Sequence, residues 1–318
     1  MNLVSSTLPP PTRLQRLGAL AQPYLQLTKP RVVVLLAFTA IVGMLLAPPG
    51  PGAPQVFLSA TLGISLAAAA GAAFNHVFER HSDALMMRTR ARPLPSGQLS
   101  AQHAAAFAAV LALLGGVLLV VGTNLLTAIL TMLALVGYSV VYTVFLKPLT
   151  PQNIVIGGAA GAAPPLLGWT AVSGEVTVEA LVLFLIIFVW TPPHFWSLAL
   201  YRHRDYANAG IPMLPVTHGS RYTRASILAY TVVLAVVAAL PFAVGMSGVA
   251  YLAGSLLLSA AFVAHAWRLY RRYSDALARR TFGFSIQYLA LLFALLLADR
   301  YSEGLHDALQ FLGGAALH

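Results

Sequence analysis

Cysteine is absent from this 318-residue chain, and charge is scarce: Asp, Glu, Lys and Arg together make up 9% of it. Without thiols there is no disulfide framework, thiolate metal site or cysteine nucleophile to consider. A soluble domain carries about a quarter charged residues. A chain that is 58% hydrophobic, with a mean hydropathy of +0.78, cannot cover a globule with polar groups, so its apolar surface faces lipid. Acidic residues are scarcer still than basic ones, nine against 19 Lys and Arg, for a net charge of +10. Such a balance suits either nucleic acid or the basic cytoplasmic loops of a membrane protein. The distribution along the chain favours the loops, and no nucleic-acid partner is expected. No cleavage site precedes the first apolar run, which is expected to stay as a span. No repeat of solenoid length is present, and no stretch reads as a soluble domain.

Apolar runs of membrane-crossing length, about 17–25 residues, occur near 32–48, 55–78, 104–122, 125–146, 152–172, 180–200, 225–246, 249–270 and 282–298. The chain is therefore expected to be an all-α polytopic membrane protein of nine transmembrane helices. Connections 48–54, 122–124, 173–179 and 247–248 are short and lack Lys and Arg, whereas the alternate connections are longer or basic. Of the 19 basic residues only Arg300 falls on the first side. The positive-inside rule makes the basic side cytoplasmic. The expected order is a cytoplasmic amino-terminal segment over 1–30, the membrane domain over 31–298, and a short periplasmic tail over 299–318.

Three of the nine acidic residues stand in telling places. The end of the second span reads Asn75-His-Val-Phe-Glu79-Arg80-His-Ser-Asp83. Asn75, Glu79 and Asp83 are four apart, so a helix stacks them within an arc of roughly 80°. A stripe of oxygen ligands at the membrane boundary suits Mg²⁺, which is commonly shared between carboxylates and substrate phosphates. Arg80, Arg88, Arg90 and Arg92 follow closely, and guanidinium forks match phosphate oxygens. The connection after the sixth span repeats the chemistry with Arg202, Arg204 and Asp205. Taken singly, each segment also fits a solvated charged cap at a helix end. Together, on one face, they fit a diphosphate site.

The sixth span carries Trp190-Thr-Pro192-Pro193-His194-Phe195-Trp196, and the fifth carries Pro164-Pro165 among glycines. Proline pairs are expected to break both spans, which requires neighbours or a cavity to satisfy the freed backbone. An intramembrane histidine is a functional candidate by default. His194 with Trp190 and Phe195 would line a pocket for a large planar ligand, although a packed, hydrogen-bonded histidine in a bent helix fits the same residues.

At these residues the chain resembles the protoheme IX farnesyltransferases (heme O synthases) of the intramembrane UbiA prenyltransferase superfamily. The likeness is carried by NHVFERHSDALMMRTRARPLPSG from Asn75, NIVIGGAAGAAPPLLGWTAVSG from Asn153 and WTPPHFWSLALYRHRDYANAGIPMLPVTHG from Trp190, with weaker support from Leu27-Thr28-Lys29-Pro30-Arg31. It runs from about residue 24 to 298. The resemblance implies a nine-helix UbiA-type bundle with a central cavity in the bacterial inner membrane and an active site toward the cytoplasm. It implies farnesyl diphosphate as donor, heme B as acceptor, Mg²⁺ dependence, and heme O as a product for a terminal oxidase, with possible contact to that oxidase or to a heme A synthase. Asn75, Glu79, Asp83 and Asp205 would be catalytic and hold Mg²⁺. Arg80, Arg88, Lys147, Arg202 and Arg204 would bind diphosphate, and His194, Trp190 and Phe195 would bind heme. The chain departs from the family pattern at Glu79 and His81, where aspartates are usual, and at Pro148, where arginine is common after Lys147. On a continuous helix His81 would lie 200° from Glu79, off the stripe.

Other classes fit less well. A prenyltransferase of another aromatic acceptor, such as a quinone precursor or chlorophyllide, would share the acid stripe but not the Pro-Pro-His block. A secondary transporter could use broken helices, yet its ionisable residues belong near mid-membrane rather than at one boundary. The Asp-Gly pattern of a phosphatidyl-alcohol transferase is missing.

Overall fold

The computed structural model describes residues 13–48 and 53–315, and among these there is no strand. Ten long helices follow one another: α1 (Arg13–Leu27), α2 (Pro30–Leu46), α3 (Ala53–Leu85), α4 (Ala101–Gly122), α5 (Leu125–Leu149), α6 (Asn153–Ser173), α7 (Val178–Tyr201), α8 (Gly219–Ala243), α9 (Val249–Arg271) and α10 (Asp275–Ala315). Helices α3 to α10 are long and apolar enough to cross a bilayer, and the bent pair α1–α2 supplies a ninth span. The 17 residues of α2 reach about 26 Å at 1.5 Å per residue, slightly short of the ~30 Å hydrocarbon layer.

Two features were not visible as a pattern of apolar runs. The segment before the first span is itself helical as α1, set at 55° to α2. Its end is anchored, because Leu27 is fully buried with Ala73, Val77, Ala104 and Ala108, and Tyr24 meets Phe107 edge to face. Helix α10 also continues past residue 299 to Ala315. The expected breaks at the proline pairs do not occur. Pro164-Pro165 and Pro192-Pro193 lie inside continuous helices. A pyrrolidine ring removes a donor but already has helical φ, and tight neighbours hold the helix in line.

Glycine sets that tightness between α2 and α6. A Cβ on Gly43 would stand 2.0 Å from Pro165 O, and one on Gly168 would stand 1.9 Å from Ala40 O. The two backbones touch reciprocally, as small residues allow in membrane helices. Side-chain caps begin the spans. Ser100 accepts from His103 N, and Asn124 accepts from Thr127 N while its amide donates to Thr170 O, tying α5 to α6.

On the basic side a second hydrophobic cluster joins the two longer connections. Met86, just past α3, packs with Ile211, Met213 and Leu214 from the connection after α7, together with Ile154, Trp196, Ile227 and Leu269. The two charged segments are thus tethered to one apolar knot.

Candidate active site

Helix α3 runs unbroken to Leu85, so the stripe forms as its spacing demands. Asn75, Glu79 and Asp83 are 2%, 7% and 0% exposed, so they face the bundle and not lipid. His81 is exposed, as its angle requires.

Three cations meet the stripe, each from a different segment. Lys29, between α1 and α2, donates to Asn75 Oδ1 at 2.5 Å and to the Tyr138 hydroxyl at 3.4 Å. Lys147, near the end of α5, pairs with Glu79. Arg92 reaches back from the turn after α3 to Asp83 Oδ2 at 2.6 Å and Glu79 Oε2 at 3.9 Å. The turn itself is closed by Thr89 Oγ1 donating to Asp83 O at 2.8 Å.

Two backbone irregularities make these contacts. Lys29 is the only non-glycine residue with positive φ among those described, at φ 49°. Strain of this kind persists where surrounding contacts hold it, and here the ammonium is held by Asn75 and Tyr138. Helix α5 is π-helical over Gly137–Leu146. Inside that stretch Thr143 accepts from Asn75 Nδ2 at 3.1 Å and donates to Tyr138 O at 2.8 Å. Widened turns of this type recur at functional sites.

The segment after α7 contributes Asp205, paired with Arg202 at 3.4 Å. Tyr206 beside it is half-buried. Burial pushes its phenol above the ordinary value, while Arg88, Lys147 and Arg202 lower it and Glu79 raises it, so charges from both sides act on this one hydroxyl. Among the described residues no three His, Asp or Glu side chains converge. Arg80 is exposed and donates to Val77 O of its own helix at 2.9 Å. Arg88 and Arg204 are exposed as well.

The aromatic residues form a separate wall where α7 meets α10. His194 stacks between Trp190 (centroids 4.2 Å apart) and Phe282 (4.5 Å), with Phe195 edge-on at 5.1 Å. Trp190 Nε1 donates to Ser285 O at 2.8 Å, and His194 Nδ1 lies 2.7 Å from Ser285 Oγ. His194 is buried, whereas Phe195 is 38% exposed.

Residues 36–296 match the UbiA prenyltransferase family. The chain belongs to the UbiA prenyltransferase family. Among its UbiA relatives are the protoheme IX farnesyltransferases of Azoarcus sp. (strain BH72), 59% identical over 90% of this chain and 96% of that protein, and of Thiobacillus denitrificans (strain ATCC 25259 / T1), 56% identical over 91% and 97%. The fold is shared with a solved digeranylgeranylglyceryl phosphate synthase (TM-score 0.75, 19% identity, 88% of this chain and 98% of that one). It is also shared with a UbiA homologue from Archaeoglobus fulgidus bound to DMAPP and Mg²⁺ (TM-score 0.62, 17% identity, 86% and 98%).

Within this UbiA bundle the structure joins Asn75, Glu79, Asp83 and Lys147, as their spacing and type suggest. It adds Lys29, Arg92, Tyr138 and Thr143, none of which stands out in the sequence as a site residue. Lys29 was legible only as part of a flanking motif, and Arg92 only as one of four arginines. Their roles come from chain reversals that no helical period encodes.

Proposed function

We propose that this UbiA chain transfers the farnesyl group of farnesyl diphosphate to a vinyl group of protoheme IX, giving heme O and diphosphate. The observation that carries the site is the interleaving of two buried carboxylates with three cations. Burying ion pairs costs more than it returns unless geometry is exact, so this cluster is poorly explained as a stabiliser. Glu79 and Asp83 against Lys29, Arg92 and Lys147 leave one net positive charge. A diphosphate ester with one Mg²⁺ presents about one net negative charge, and the cation keeps waters and phosphate oxygens among its ligands. The charges are complementary.

The residues fit Mg²⁺. Asp83 Oδ1 is buried without a partner, an arrangement costly for a carboxylate unless a cation or donor completes it. Asn75, Glu79 and Asp83 would hold the ion, with Asp205 supporting the diphosphate from the facing segment. Bound there, Mg²⁺ would offset charge on the departing diphosphate oxygens. Lys29, Arg92 and Lys147 would exchange carboxylate and amide partners for those oxygens as the substrate binds and then stabilise the same charge. Arg202 and Arg88 would approach from the Tyr206 side. Arg80 and Arg204 would contribute less, given their exposure.

The farnesyl C1–O bond breaks and its electron pair leaves on diphosphate. The vinyl π pair of the porphyrin forms the new bond to C1. A water oxygen then adds to the resulting cation and loses a proton, leaving a hydroxyethylfarnesyl group. The aromatic wall of Trp190, His194, Phe195 and Phe282 would seat the planar acceptor and keep bulk water from the allylic cation. The basic side would be cytoplasmic by the positive-inside rule, placing the active site at the inner face of the bacterial inner membrane.

The test is expression in cells that lack heme O, followed by chromatography and mass analysis of extracted hemes. Heme O is expected. A prenylated quinone precursor or chlorophyllide with no heme O would transfer the site to another acceptor.

A further inference from the structure

Ser285, on α10, is fully buried and organises His194. Its Oγ lies 2.6 Å from Phe282 O. A carbonyl can only accept, so the hydrogen between them is the serine's own, and a hydroxyl has just one. Ser285 Oγ therefore meets His194 Nδ1, 2.7 Å away, with lone pairs alone. The hydrogen in that second contact must belong to Nδ1. In a neutral imidazole the other nitrogen then carries the free lone pair. Among the described residues Nε2 makes no hydrogen bond, and the ring plane is clamped between Trp190 and Phe282. Trp190 is itself fixed by its bond to Ser285 O. One residue thus sets the tautomer, orientation and support of a buried imidazole.

This is the arrangement of a metal-binding histidine, whose second ring nitrogen donates to a fixed partner that orients the ring and raises its basicity. His76 is the contrast. It is buried too, but neither of its nitrogens has a partner, so nothing selects its tautomer. We infer, resting on the heme reading above, that His194 Nε2 ligates the iron of the acceptor and that Ser285 is the positioning residue that presents it. The macrocycle is then held by its metal beside Phe195, independently of the diphosphate cluster on α3.

The full chain, purified in lipid nanodiscs, is titrated with ferrous heme B and, separately, with metal-free protoporphyrin IX. Binding is followed by visible absorption and the iron–histidine stretch by resonance Raman. Wild type is expected to show that stretch and His194→Ala to lose it. Ser285→Ala is expected to weaken heme B binding about 10–100-fold, the range for outer-shell partners of metal ligands, and to shift the stretch. Protoporphyrin IX binding should change less than about twofold, and Ser285→Thr should restore heme B binding because it keeps the hydroxyl. Binding of farnesyl diphosphate confirms that each variant is folded, and Ser285→Cys carries the comparison should the alanine variant fail that check. A stretch that survives His194→Ala, or equal losses for both porphyrins in Ser285→Ala, would overturn the inference. Wild-type protein that makes heme O while His194→Ala leaves the heme spectrum unchanged removes the ligand assignment alone. Wild-type protein that ligates heme B but makes no heme O removes the transfer reading alone.

Discussion

The two halves of the site solve opposite problems with opposite means. On α3 and α5, charges are buried in pairs and every cation is shared with a carboxylate or an amide. On α7 and α10, no charge is used: the His194 imidazole meets the Ser285 hydroxyl, and the Trp190 indole donates to the Ser285 carbonyl, inside an aromatic stack. The charged half is poised to exchange partners with an incoming anion. The aromatic half is uncharged and rigid, and it offers an incoming molecule a flat surface and the one open nitrogen of His194. A donor that departs as a polyanion and an acceptor that stays flat and greasy would need just this division.

The largest effect should come from the charged half. Glu79→Gln and Asp83→Asn are each expected to lower heme O formation in membranes about 10²–10³-fold, the range for losing a group that stabilises developing charge. Heme B binding should be unchanged. Near-normal turnover in both variants at limiting Mg²⁺ would end the metal assignment. Next, Lys147→Ala should cost about 10–100-fold in turnover, since a charge-assisted contact is worth roughly 1.5–3 kcal/mol. Steady-state kinetics at saturating farnesyl diphosphate would measure it. In the aromatic half Trp190→Phe removes the indole donor to Ser285 O, a carbonyl that its own helix already engages. A loss of about 0.5–1.5 kcal/mol in stability is expected, read as a lowered thermal midpoint, with little change in farnesyl diphosphate binding. If it instead matched Asp83→Asn in turnover, the two halves would not be separable. The smallest effect is expected for Arg80→Ala, within about twofold in turnover, because an exposed side chain away from special features contributes little. A tenfold loss there would place Arg80 among the phosphate partners.

Much of the charged half was legible because α-helical spacing is strict. Asn75, Glu79 and Asp83 had to share a face, and His81 had to leave it. The same rule could have demoted Arg80, which stands roughly 100° round the helix from Glu79 and donates to its own backbone. Lys29 and Arg92 were not legible as partners of the stripe. The first depends on a left-handed residue at a 55° bend, the second on a turn that returns the chain nine positions. Ser285 gave no signal either, since a serine within a span looks like any other. The spans themselves were clear because lipid leaves so few alternatives. The proline pairs misled, since a missing donor predicts a break locally while reciprocal glycine packing against α2 holds α6 in line.

The π-helical stretch of α5 has a consequence for how this site could be tuned. A turn closed from residue i to i+5 holds one residue more than an ordinary turn would need, so it acts as a one-residue spacer in the phasing of everything after it. Were Gly137–Leu146 wound as ordinary turns with every residue kept, each surplus residue would carry Lys147 roughly 100° round, away from Glu79, leaving Tyr138 and the start of the helix where they are. The grip on the donor would be dismantled by a register error alone, with no charged side chain replaced.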